Sequence, residues 1–218
     1  MNTPPFLTTA SGRSVSLLDP KPEDIDPSDI ARGLAYTCRF GGHIQRRYAS
    51  VAEHSVRVAH ILLVQGLPMQ VVQAGLLHDA AEAYIGDLVG PAKSALRMIT
   101  EAVILGVPVD FVGIGAVPSA FDALESKFHR VIGERFGLGN ALCELDPRVK
   151  AADERAFFVE ERHQRGAGPA AADWCDHVYD LMPEDAEDAF LCALHRFGLA
   201  ELSRPVRSTL PLPPGVDW

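Results

Sequence analysis

The sequence predicts an all-α protein, a helical bundle with a short N-terminal hairpin. Three observations carry this. Apolar residues recur at the helical period through residues 51–62, 68–84 and 149–160; helix-start signals stand at Asp26-Pro27, Ser50-Val51-Ala52-Glu53 and Asp146-Pro147; and strand-like alternation is confined to one weak stretch near the N terminus.

Taken in order, "FLTTASGRSVSLL" carries Ser11-Gly12 at its middle and reads as the hairpin. A short helix is expected to begin at Pro27, with Asp26 as its cap and Asp29 in its first turn. Ser50 and Glu53 match a capping box, in which Ser50 accepts from a first-turn amide while Glu53 reaches back to the Ser50 amide, a structural role. The helix they open places Val51, His54, Val58, Ile61 and Leu62 on one stripe. Residues 68–84 are apolar on most sides and predict a central helix on which His78 and Glu82 share a face, with Asp79 turned about 100° away. Asp146-Pro147 opens a helix whose stripe is Val149, Asp153, Ala156, Phe157 and Glu160. "FDALESKFHRVIGERFG" is helical and stops at Gly137; "PEDAEDAFLCALHRFG" is helical, acidic at its start, with His195 and Arg196 at its end and Gly198 as cap. Residues 96–118, rich in Val, Ile and Gly and punctuated by Pro108 and Pro118, fit no single element; a lid, an insertion and a subunit contact all stay open. Residues 1–203 read as one domain and residues 204–218 as a Pro-rich tail.

A chain of 218 residues with 47% hydrophobic and 22% charged residues builds one substantial core and lacks the signature of disorder. Its net charge of -9 argues against a surface that tracks a nucleic-acid polymer, which needs clustered Lys and Arg. A small phosphorylated ligand is compatible, because a few local cations or a metal suffice. Cys38, Cys143, Cys175 and Cys192 are scattered, with no paired spacing and no secretory leader, so reduced thiols in the cytoplasm are expected. The longest apolar stretches are broken by Gly, Pro and Asp, and no membrane span is expected.

Three predicted helices each set an ionisable group on an otherwise apolar stripe: His54, the His78-Asp79 pair, and Asp153. Buried imidazoles and carboxylates are costly unless something pairs with them. Two of each suit one borderline divalent ion such as Mn, Co, Ni, Zn or Fe, with positions left for water and substrate. Taken singly, a histidine on such a stripe is more often a core residue bonded to a carbonyl.

The order His54, His78-Asp79 and a distant Asp153 in "VKAADE" resembles the HD-domain metal-dependent phosphohydrolases. "CRFGGH", "YASVAEHS", "LLHDAAEAYIGDL" and "GPAK" stand in the order expected for the branch related to bacterial 5'-deoxynucleotidases and phage dATP triphosphohydrolases, in patches over residues 6–165. An HD dipeptide alone is nearly worthless; the ordered set is specific. The resemblance implies an HD-domain helical bundle with His54, His78, Asp79 and Asp153 as metal ligands. It implies Glu82 and Asp87 as the acidic groups that serve the attacking water and proton transfers. Arg39 would face the substrate phosphate or sugar, Lys93 the phosphate, and Phe40 would pack on the deoxyribose. It further implies a nucleotide substrate, a homo-oligomer, and a second ion, Mg, on the substrate phosphates. Bland readings stand beside these. Glu82 can bond His78 one turn back, Asp87 can cap a turn after Gly86, and Arg39, Lys93, Arg46 and Arg47 can be surface cations. Hydrolysis of another phosphoester, such as a cyclic or signalling nucleotide, and a catalytically silent nucleotide-binding module are the competing functions.

Overall fold

Local capping chemistry decides where four of the eight described α-helices begin. The computed structural model describes residues 5–46, 48–113, 115–166, 178–202 and 204–206. Strands β1 (Phe6–Thr8) and β2 (Ser14–Ser16) pair antiparallel with Leu7 opposite Val15, and Gly12 takes the positive φ of 84° that the turn requires. The described helices then follow as α1 (Pro27–Tyr36), α2 (Val51–Val64), α3 (Met69–Leu77), α4 (Glu82–Ile85), α5 (Gly90–Leu105), α6 (Ala120–Arg135), α7 (Pro147–Gln164) and α8 (Pro183–Arg196). Asp26, Ser50, Ser119 and Asp146 each accept a first-turn amide from their own helix. The all-α bundle with its small hairpin is therefore as expected. Arg47, Cys175 and residues 207–218 of the expected tail lie outside the described residues; Arg204, where that tail begins, pairs with Asp188 at 2.6 Å and Glu187 at 3.0 Å.

The central helix is α2 rather than the one bearing His78-Asp79. Residues 51–62 are buried without a break, and α1, α3, α7 and α8 all pack around them. The capping box is also only half formed. Ser50 Oγ accepts from the Glu53 amide at 3.1 Å, but the Glu53 carboxylate leaves its own helix end. It accepts from Arg57 at 2.7 Å and from the backbone amides of Tyr179 and Leu181, each at 2.9 Å, so it straps the segment before α8 onto α2. A buried carboxylate takes the strongest donors in reach, and two remote amides with a guanidinium outbid one local amide.

The expected helix over residues 68–84 is broken. α3 stops at Leu77, and residues 77–84 turn on tighter i→i+3 bonds: Ala80 N–H to Leu77 O at 3.0 Å, Glu82 to Asp79 at 2.9 Å, Tyr84 to Ala81 at 3.0 Å. α4 then lies against α1, where Gly33 has no Cβ to collide with the backbone of Ala83. Of residues 96–118, 96–105 belong to α5 and Val109–Phe111 form a 3₁₀ turn. On α7 the expected stripe holds for Val149, Ala156 and Glu160, whereas Phe157 stands exposed.

His60, on the buried face of α2, has its pKa pushed down to about 3 by burial, with the charges of Arg57 and Arg196 adding to it. The folded protein thus keeps this ring neutral where the unfolded chain, at about 6.5, takes up a proton. As pH falls from about 6.5 towards 3, this one group should remove about 1.4 kcal/mol of stability per pH unit. Urea titrations at successive pH values should show a shallower acid-side loss for His60→Gln than for the natural protein.

Candidate metal centre

His54 projects from α2, His78 and Asp79 from the tight turn after α3, and Asp153 from α7. The break after Leu77 replaces the face relation of a continuous helix and lets His78 and Asp79 reach one point: His78 Nε2 lies 3.2 Å from Asp79 Oδ2. His54 Nε2 is 3.7 Å from the same oxygen and 3.0 Å from Asp153 Oδ1, which is 3.8 Å from His78 Nε2. The two rings are 5.4 Å apart at their centroids. His54, His78 and Asp79 each offer one atom to a group whose members lie within 4.8 Å of one another, a group that could hold a metal ion.

The residues fit such an ion in their hydrogen bonding as well. His78 Nδ1–H donates to the Gly75 carbonyl at 2.8 Å, and His54 Nδ1–H donates to Glu160 at 3.0 Å. Each bond fixes the tautomer and leaves Nε2 as the lone-pair atom. Both Nε2 atoms are buried, near carboxylates yet without a hydrogen-bond partner. Burial opposes charge on His78, yet Asp79 and Asp153 hold its pKa well above the ordinary value; their field favours any cation at that nitrogen. The same histidines keep Asp153 far below the usual carboxylate range despite its burial, and its side chain, 42% exposed, gives the centre its opening to solvent.

Around this centre the other expected residues fall into two groups. Arg39 reaches inward, its Nε 3.0 Å from Glu160 and its Nη1 3.7 Å from Asp79. Phe40 follows in a strained conformation (φ 58°) with its ring 5.8 Å from that of Phe157. Lys93, from α5, pairs with Glu125 at 3.0 Å and lies 3.6 Å from Glu82. Glu82 is buried with Oε2 unpartnered, and its pKa is pushed up to about 9 by burial and by the charges of Asp79 and Asp87. Asp87, half-buried after Gly86, is raised by burial and by Asp79, with Arg39 and Lys93 opposing. Arg46 is a loop residue whose amide donates to Gln164.

Sequence reasoning passed over four contributors. Glu160 accepts from His54 and Arg57 and forms an ion pair with Arg39; burial opposes its charge, but those partners hold it well below the usual carboxylate range. It lies two turns beyond Asp153, and that spacing was its available signal. Arg57, three residues after His54 inside an apolar helix, was equally conspicuous. His129 on α6 hydrogen-bonds the backbone of His78, and Phe157, one turn after Asp153, faces Phe40. Neither had a signal short of the contact itself.

Comparison with known proteins bears on descent alone. The chain is 35% identical over 167 residues to an uncharacterized protein of Rhodobacter capsulatus, covering 75% of this chain and 74% of that one. It is 32% identical over 157 residues to the uncharacterized protein YfdR of Escherichia coli, covering 72% and 71% respectively. The chain belongs to their family. No family model matches it.

Protein stripped of metal and titrated with Mn or Zn should bind about one ion per chain, read by calorimetry and elemental analysis. His78→Ala should abolish that binding. Glu160→Gln, which spares the ligands but weakens the hold on His54, should lower affinity by roughly 10- to 100-fold.

Proposed function

We propose that the protein is a metal-dependent phosphohydrolase of the HD-domain superfamily that cleaves the 5' phosphoester of nucleotides. Its products would be nucleoside and phosphate from a deoxynucleoside monophosphate, or nucleoside and triphosphate from a deoxynucleoside triphosphate. The observation that carries this reading is the pair of buried, unpartnered Nε2 atoms on His54 and His78 facing Asp79 and Asp153. Those four residues would hold one divalent ion from the set Mn, Co, Ni, Zn and Fe, with Mg on the substrate phosphates as a second. Such an ion supplies acidified water and a polarised phosphoryl oxygen.

The remaining work belongs to the chain. Arg39 lies 3.7 Å from Asp79 and Lys93 3.6 Å from Glu82, and the two would meet the charge on the phosphate. Glu82, whose Oε1 lies 3.6 Å from Lys93, would hold or pass the proton at the unpartnered Oε2, and Asp87 would orient water beside it. Phe40 and Phe157, each one step along the chain or one helix turn from Arg39 and Asp153, form a flat apolar rim suited to sugar or base. The free thiols of Cys38, Cys143 and Cys192 fit the expected cytoplasmic location.

Chromatography of products from metal-loaded protein with matched deoxynucleoside mono- and triphosphates tests the reading. Release of nucleoside from either panel is expected, and Asp79→Ala should lose at least about 100-fold in rate. The absence of turnover on both panels would falsify the nucleotide assignment and leave another phosphoester or a silent binding module. On whichever nucleotide is turned over, Phe157→Ala should raise KM several-fold with little change in kcat, because the rim touches no reacting atom.

A further inference from the structure

Helix α6 sends a row of side chains toward the candidate metal centre, and the proposed chemistry leaves that row unused. Phe121, Glu125 and His129 recur every fourth residue along it and so share one face. His129 hydrogen-bonds the backbone of His78, which ties this face to the centre. The ammonium of Lys93 lies 5.4 Å from the centroid of the Phe121 ring and donates to Glu125 at 3.0 Å. Lys93 is a cation that the phosphohydrolase reading sets against the phosphate, yet its charge is already answered. Among the described residues Glu125 is its one hydrogen-bond partner. Glu82 stands farther off at 3.6 Å, and a pKa pushed up to about 9 keeps it a neutral acid near neutral pH. The side chains of Lys93 and Glu125 are 22% and 21% exposed, so their pair is neither dry nor strong. A phosphoryl group brings nearly two negative charges and several acceptor oxygens to the same ammonium, where the carboxylate brings one charge.

We propose that Glu125 is a built-in competitor of the phosphate: it holds Lys93 in the free protein, yields it to the phosphoryl group of a bound nucleotide, and takes it back when the product leaves. The inference rests on the phosphohydrolase reading of the site and adds to it a positioning residue that sets how tightly substrate and product are held. Three features favour exchange over a permanent tie. Lys93 carries its point charge on a flexible four-carbon stem, so the ammonium can turn while its backbone stays in place. Arg97 and Asp122, paired at 2.5 Å, hold α5 on α6 independently of Lys93. Glu125 reaches solvent, so it can stay charged after the ammonium turns away.

Calorimetric titration of the manganese-loaded protein with inorganic phosphate tests this, alongside steady-state kinetics on whichever nucleotide is turned over. Glu125→Gln keeps the size and an acceptor oxygen but removes the charge. It should tighten phosphate at least about threefold and lower KM and the product-inhibition constant by a like factor, without raising kcat. Arg97→Gln, which loosens the same two helices but leaves Lys93 its partner, should not tighten phosphate. Unchanged or weaker phosphate binding in Glu125→Gln, with nucleotide still turned over by the natural protein, would overturn the inference alone. Tightening in both variants would overturn it as well, because the effect would then trace to a loosened α5. A natural protein that neither binds phosphate nor turns over nucleotide would remove the phosphohydrolase reading and this inference together.

Discussion

A buried carboxylate at the centre of the bundle ties the site to the fold. Glu160 receives the Nδ1–H of His54 and the guanidinium of Arg57 and pairs its charge with Arg39, and it does so with almost no contact with water. Ions removed from water carry a penalty of several kcal/mol each unless geometry and hydrogen bonds compensate. Here each partner compensates another: Arg57 is shared with Glu53, and Glu53 in turn accepts the amides of Tyr179 and Leu181. α2, α7, the 38–40 segment and the stretch leading to α8 thereby converge on one network, and no member can move without uncovering a charge.

The charges in this network do not cancel by themselves. Arg39 and Arg57 balance Glu53 and Glu160, which leaves Asp79 and Asp153 facing two imidazoles whose Nε2 atoms have no hydrogen-bond partner. A remainder of two negative charges beside two nitrogen lone pairs is what a divalent cation neutralises. Glu82 fits the same account: burial, and then the negative charges of Asp79 and Asp87 beside it, push its pKa up to about 9 and favour the neutral acid. The polar residues inside α2 and at the end of α3 violate the rule for a core, and a group that could hold a metal ion is where they gather.

What could be read from the sequence was whatever local chemistry decides. Asp26, Ser50 and Asp146 cap as their types and spacing require, and His54, His78, Asp79 and Asp153 stand out as ionisable groups on apolar stripes. The break after Leu77 could not be read, because nothing in "GLLHDAAEAY" stops a helix; the tight turn goes with the packing of α4 against Gly33 of α1, a contact between residues 50 apart. The capping box misled at Glu53 because two of its three competing donors, the amides of Tyr179 and Leu181, lie more than 120 residues away. Residues 96–118 resisted assignment for a related reason: periodicity presumes that an apolar face seeks this chain's own core, and α5 presents that face outward.

The two cations that flank the centre differ in how firmly they are held. Arg39 is fixed by a nearly dry ion pair with Glu160, on a segment that Glu160 also anchors to His54, so its position is as rigid as the ligands themselves. Lys93 rides on α5, a helix that contributes only Ala102 to the buried residues and stays in register with α6 through partly exposed ion pairs. Such pairs are individually weak and screened by salt. Lys93 also has a flexible stem and a point charge, where Arg39 presents a planar fork. A phosphate entering this site would therefore meet one cation already in place and one that adjusts. On the phosphohydrolase reading, that adjustment is set by the pairs that hold α5 to α6, Lys93 with Glu125 and Arg97 with Asp122.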